Sequence, residues 1–350
     1  MKTFIIIFFL FFLIPYAGIS QEIKQYDAFV ALDIEKQEGF KVNDSALVIL
    51  KEIYSVMDKK VIIPNTVDKD KALEICIAMS NILETDFGIS YGVTLLLSEG
   101  LMEKKLDCNY YSILFYTYLK NKNQKPGLIL TPGHMFLRWY YNSDEYINYE
   151  TTAKVLYSDD DYIREFRISK AAIQNNLYMQ PLSSPQIFAC AFLDMSSKYE
   201  DNTAKQRILL NKSLKLFPQL VMAMGNLAYC AVLENKTDEA IAMLNKAIKL
   251  DSLNYVTYQQ AGKIYQKAGR YKEALKYFTK GIERNPDDPQ SYIYRSNCYL
   301  DLNNVDAAME DFDKGAALLK TDDIFKFLFD YLSYTALEDR IMESYLKENE

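Results

Sequence analysis

The 350-residue chain is poor in histidine, having one, and in cysteine, having five. A lone histidine makes His134 the sole imidazole, so any thiol chemistry that needs a base must use it. Five cysteines, at positions 76, 108, 190, 230 and 298, are too few and too scattered for a disulfide scaffold. An oxidising compartment would permit a bridge but would still leave one thiol over. With no paired cysteine spacing and one histidine there is no zinc motif, and no motif for any cofactor. Basic excess is absent as well: 40 Lys+Arg stand against 47 Asp+Glu, a formal charge of −7, which excludes nucleic acid as the expected main partner. Nor does the N-terminal apolar run, Phe4 to Ile14, suffice for a membrane span, because as a helix it covers about 16 Å, roughly half a bilayer core.

That run follows Lys2 and precedes Pro15 and the small-residue stretch Ala17-Gly18-Ile19-Ser20, the order of a secretory signal peptide. Residues 1–20 are therefore expected to be a cleaved leader, with no stable membrane span afterwards and a mature protein that is exported, periplasmic or secreted. The first cysteine, Cys76, is too far from the junction to carry a lipid anchor. Apolar residues make up 49% of the chain, ample for a packed core, and the length suggests two domains.

The second half is organised by repetition. Ala240-Ile241, Ala274-Leu275 and Ala308-Met309 recur every 34 residues; in the same register small residues recur at Ala228, Gly262 and Ser296, bulky ones at Leu244, Phe278 and Phe312, and small ones again at Ala247, Gly281 and Gly315. This resembles the tetratricopeptide repeat (TPR), a helix–turn–helix unit with small residues where its helices cross. The register gives an all-α solenoid over 187–322: a degenerate unit at 187–220 with Pro218 at the Pro286 position, then 221–254, 255–288 and 289–322, with capping helices at 323–350. Such solenoids present a concave surface, here expected to bind a protein or peptide through Tyr229, Gln259, Lys263, Ile293 and Asn297. Cys190, Cys230 and Cys298 read as buried structural thiols.

After a linker expected at 21–44, residues 45–175 carry a mixed pattern. Helical periodicity marks 45–58, 72–83, which holds Cys76, and 93–102; a further helix is expected from Cys108 to about Leu119, with Asp107 as its N-cap. Strand-like runs follow at 127–131, 134–141 and 145–151, the last two joined by Asn142-Ser143-Asp144. A thiol in a first helical turn feels the positive end of the helix dipole, and the backbone N–H beside it is open to an oxyanion. On paired strands His134 would face that thiol, and Glu150, or alternatively Asn148, would hold the far ring nitrogen. Arg138 and Trp139 are read as supporting the strand, and Asp159-Asp160-Asp161 as solvated loop charge rather than a metal cluster.

Helix-borne Cys108 in Asp107-Cys108…Tyr111-Ser112, then Pro132-Gly133-His134, then Glu150 in Tyr146-Ile147-Asn148-Tyr149-Glu150 together resemble the transglutaminase-like branch of the papain-type cysteine fold, in particular bacterial proteins that join such a domain to TPR repeats. The resemblance implies an α+β transglutaminase-like domain followed by the TPR solenoid, with Cys108 as nucleophile, His134 as base and Glu150 as orienter. Two departures are that Glu150 stands where the superfamily usually has Asp, and that no side-chain oxyanion donor is apparent upstream of Cys108. The implied function is cysteine-type acyl transfer, an amide or peptide hydrolysis more than cross-linking; the alternative is a non-catalytic binding or assembly scaffold.

Overall fold

The computed structural model describes residues 27–319, so the expected leader and capping helices lie outside the described residues. Within these, contacts divide the chain into two units, 27–161 with 178–218, and 162–177 with 219–319.

The first unit opens with α1 (Ala28–Gln37), α2 (Asp44–Lys60), α3 (Lys69–Asn81) and a π-helical turn at 82–86, followed by β1 (Ser90–Tyr91), α4 (Leu97–Glu103), β2 (Lys105–Leu106) and α5 (Cys108–Asn121). Four antiparallel strands come next, β3 (Lys125–Thr131), β4 (His134–Tyr140), β5 (Tyr146–Glu150) and β6 (Val155–Leu156), paired in that order. Every residue of α5 from Tyr110 to Leu119 is buried, as an all-round apolar helix must be; it lies on β3 and β4, and Phe115 stacks on Tyr149 of β5 at 6.1 Å. Pro132-Gly133 closes the β3–β4 hairpin between the paired residues Thr131 and His134. Gly133 has φ +75, which after a proline is the type II turn that favours glycine. The Asn142–Asp144 turn forms as expected, with the Asn142 side chain accepting the N–H groups of Asp144 and Glu145.

The segment expected to be a linker at 21–44 instead contains α1. Ala28, Ala31, Leu32 and Ile34 are buried along it, and the carboxylate of Glu35, 2% exposed, accepts the Leu97 and Ser98 N–H groups at the start of α4. One buried acid capping a second helix ties the segment to the core.

Beyond the sheet lie α6 (Asp159–Glu165) and α7 (Lys170–Gln174), then α8 (Ser184–Ser197) and α9 (Thr203–Leu216). The α8–α9 pair, expected to be a first degenerate repeat, groups by its contacts with the first unit. Leading into α8, the Met179 and Leu182 N–H groups donate to Leu130 and Leu128 oxygens at 3.1 and 2.9 Å, occupying the free edge of β3.

The second unit contains α10 (Val221–Leu233), α11 (Thr237–Leu250), α12 (Tyr255–Lys267), α13 (Tyr271–Arg284), α14 (Pro289–Asp301) and α15 (Val305–Leu318). Ala240, Ala274 and Ala308 are fully buried. A methyl group on Gly262 would meet the Phe278 ring at 2.5 Å, so the small residue lets a bulky one fill the crossing. Asn235, Gly269 and Asn303, again 34 apart, all have positive φ and end the first helix of their pair, the conformation asparagine and glycine tolerate best. No helix among the described residues is long and apolar enough to cross a membrane.

Candidate functional site

Three elements of the first unit converge. Cys108 begins α5, whose N-cap Asp107 accepts the Tyr110 N–H at 3.0 Å. His134 begins β4 directly after the Pro132-Gly133 turn, and Glu150 ends β5. The imidazole Nε2 lies 2.6 Å from Glu150 Oε2, and both side chains are mostly buried. The other carboxylate oxygen, Oε1, accepts from the Thr152 hydroxyl at 2.6 Å, which fixes the acid's orientation. The side chain of Cys108 lies close enough to His134 to act on the ionisation of the ring.

Electrostatics follow from this packing. Burial works against the His134 imidazolium, but its hydrogen bonds to Cys108 and Glu150, together with their charges, override it and lift the pKa to about 10. Burial likewise disfavours the charged Glu150, yet the His134 contact outweighs it and the carboxyl lies below its ordinary pKa. The ring therefore holds a proton at neutral pH beside a cysteine at a helix start, surroundings in which thiols act as nucleophiles.

Cys108 stands apart from the other four cysteines, which are all buried. Burial pushes the thiols of Cys76 and Cys190 far up, and that of Cys298 up to about 11. The expected alternative orienter, Asn148, does not reach the imidazole. Opposite Arg138 in the β4–β5 register, it accepts from Arg138 Nε at 2.7 Å and donates to Asp159 Oδ1 at 2.6 Å. Arg138, 4% exposed, also pairs with Asp159, which accepts the Tyr146 hydroxyl. Asp159 is thus a structural counter-ion to a buried arginine rather than loop charge. One neighbour of the thiol, Asn109, escaped the sequence: its Oδ1 is 3.7 Å from Cys108 Sγ, and its Nδ2 donates to Asp194 of α8 at 3.0 Å. Burial and the Asp107 charge raise Asp194 well above the carboxylate range, and burial pushes Asp107 up to about 6. Adjacency could have flagged Asn109; nothing in the pattern of α8 marks Asp194.

In the repeats, Tyr229, Lys263 and Asn297 line one groove of about 590 Å³ together with Gln260, Tyr271 and Tyr294. Lys263 Nζ lies 4.6 Å from the Tyr294 ring centre, a cation–π distance. Gln259 and Ile293, expected beside them, are not in the groove. Gln259 is 5% exposed and donates to Asp288 and Ser291 at the start of α14. Ile293 is 3% exposed and packs on Gly315. Both face the neighbouring helices and serve the stacking.

Tetratricopeptide-repeat profiles match residues 223–252 and 260–322. Among curated proteins, the Hsp70-Hsp90 organizing protein 2 of Arabidopsis thaliana is 28% identical over 133 residues, 33% of this chain and 22% of that protein. The Hsp70-Hsp90 organizing protein 1 of Glycine max is 30% identical over 94 residues, 24% of this chain and 16% of that protein. The chain thus spans less than a quarter of the length of these relatives. Similar solved structures include MamA, at 20% identity and TM-score 0.34 over 45% of this chain and 87% of that one. A second is the Cut9–Hcn1 hetero-tetramer of the APC/C, at 20% identity and TM-score 0.35 over 38% and 26%. The C-terminal part of the chain is built of tetratricopeptide repeats.

Proposed function

We propose that the protein recruits a protein or peptide through its repeats and carries a cysteine-type acyl-transfer site in its first unit, on a transglutaminase-like domain exported from the cell. The observation that carries the catalytic half is the 2.6 Å contact of the sole imidazole with Glu150, on a ring whose ionisation Cys108 also influences. Cys108 Sγ attacks an amide or ester carbonyl carbon, and the His134 proton passes to the leaving nitrogen or oxygen, leaving a thioester. Water, activated by the now neutral His134, then releases the acid; hydrolysis is favoured over cross-linking because water is always at hand. Glu150 orients the ring and stabilises its charged form. Alkylation by iodoacetamide at pH 6, read by mass spectrometry of the Cys108 peptide, tests this. Labelling should be fast and confined to Cys108; labelling no faster than that of a free thiol at that pH would sink it.

A second reading is a non-catalytic binding or assembly scaffold. It draws support from the comparisons, since the matching profiles are repeats and the relatives named above are organizing proteins. Under it, Cys108 behaves as an ordinary thiol and the groove at Tyr229, Lys263 and Asn297 is the working surface.

A further inference from the structure

Acyl transfer needs a donor for the negative charge that builds on the carbonyl oxygen. On α5 the Cys108 N–H is one, at a helix start where such groups lack intrahelical partners. A candidate for a second sits on the short parallel strands that lead into Cys108. Tyr91 of β1 pairs with Leu106 of β2, two residues before Cys108, and Gly92 N–H donates to the Leu106 oxygen at 3.0 Å. Paired strands run about 4.8 Å apart, so the Tyr91 side chain starts close to the thiol. Its setting is unlike that of the other tyrosines around the site. Tyr110, Tyr111, Tyr116, Tyr118 and Tyr149 are buried, whereas Tyr91 is 59% exposed. Tyr110 and Tyr111 spend their hydroxyls on backbone oxygens, while the Tyr91 hydroxyl has no hydrogen-bond partner among the described residues. Partial burial, then the charges of Cys108, Asp107 and Glu150, raise the pKa of that phenol. The charges of Cys108 and Glu150 are thus felt at the phenol, and its raised pKa keeps the O–H proton in place.

We propose that Tyr91 is the side-chain oxyanion donor of this site. The role rests on the acyl-transfer reading above and deepens it. As the Cys108 sulfur forms its bond to the carbonyl carbon, the C=O π pair moves onto oxygen, and the Tyr91 O–H and Cys108 N–H donate to it. Collapse restores C=O and expels the leaving group with its bonding pair, leaving a thioester on Cys108.

Two probes applied to the full chain separate this role from activation of the thiol. p-Nitrophenyl acetate acylates Cys108 through a tetrahedral oxyanion and releases nitrophenolate; iodoacetamide alkylates the same sulfur by displacement at a saturated carbon, with no oxyanion. In Tyr91→Phe the ratio of acylation rate to alkylation rate should fall by about 10- to 100-fold, in line with the loss of one oxyanion donor. An unchanged ratio, with native acylation intact, overturns the Tyr91 role alone. Absence of a Cys108-dependent nitrophenolate burst from the native chain, judged against Cys108→Ala, overturns both that role and the acyl-transfer reading. Because the Tyr91 ring is largely exposed and Phe keeps it, circular dichroism of the variant should match native; a ratio that fell only with loss of folded signal would also overturn the role.

Discussion

The proposed nucleophile site and the repeat groove are built on opposite plans. The site draws Cys108, His134 and Glu150 from α5, β4 and β5, and Asp194 from α8, so it depends on contacts between residues far apart in the chain. The groove draws Tyr229, Lys263 and Asn297 from α10, α12 and α14 at one fixed spacing, so it depends only on adjacent repeats stacking. Under the proposed chemistry at one sulfur atom, the imidazole must be held closely in place, and the β3–β4 hairpin and the buried Glu150 carboxylate fix its position. Recognition spreads over a surface, and each contributing side chain matters less.

That contrast can be broken most sharply at the imidazole. His134→Ala should slow Cys108 alkylation by about 100-fold at pH 6, within the range for loss of an acid–base partner, and far less at pH 9.5, where thiolate forms unaided. Equal rates at pH 6 would reduce the site to a coincidence of packing. Next in size is Glu150→Gln, for which about a tenfold loss is expected. Because the chain has one histidine, its imidazole resonance can be followed by NMR without assignment. It should stay protonated through pH 8 in the native chain, with a midpoint near 10, and titrate lower in Glu150→Gln and in Cys108→Ala.

The same shifts carry a stability signature. His134 has a raised pKa when folded, so its contribution is fully present below its unfolded value of about 6.5 and is lost as pH rises through about 10. Glu150 is shifted down, so its contribution is present above about 4.5 and lost as pH falls through its folded value. Thermal denaturation of native protein against His134→Ala should therefore differ most between about pH 4.5 and 6.5 and converge above about 10.

For the repeats the expected effects are smaller and of another kind. Ala274→Leu should cost about 1–3 kcal/mol by overpacking, leaving Cys108 alkylation at the native rate; no loss in thermal melting would mean that the helix crossing is misplaced. Smallest is the distinction between groove and stack: Gln259→Ala should cost about 1 kcal/mol by removing its hydrogen bonds to Asp288 and Ser291. Lys263→Ala, on the groove side, should stay within about 0.5 kcal/mol. Reversed values would exchange their places.

Legibility followed the range of the contacts. The repeat register was readable because each helix packs on neighbours within one or two units, so the spacing of Ala240, Ala274 and Ala308 already encodes their burial. It failed at Gln259 and Ile293, because the face that stacks on the next repeat and the face that opens to the groove lie side by side on one helix. The hairpin and the positions of His134 and Glu150 were readable from alternation and from Pro132-Gly133. Glu150 was preferred over Asn148 only on the resemblance, since alternation puts both on one face; it is the buried charge of Arg138 that claims Asn148. α1 was missed because Glu35 breaks its apolar pattern, and that acid makes sense only once the N-terminus of α4 is seen to lie against it.

By itself, then, the sequence determined the elements and the candidate chemistry: one imidazole, one cysteine at a helix start, an acid on the following strand, and a 34-residue period. These are local quantities, set by side-chain type and by the helical and strand periods. Tertiary structure alone decided that Asn148 is drawn off to Arg138 and away from the ring, that Asn109 links Cys108 to Asp194, and which faces of the repeats remain open. Those depend on burial and charge between distant segments, for which neighbouring residues in the chain carry no signal.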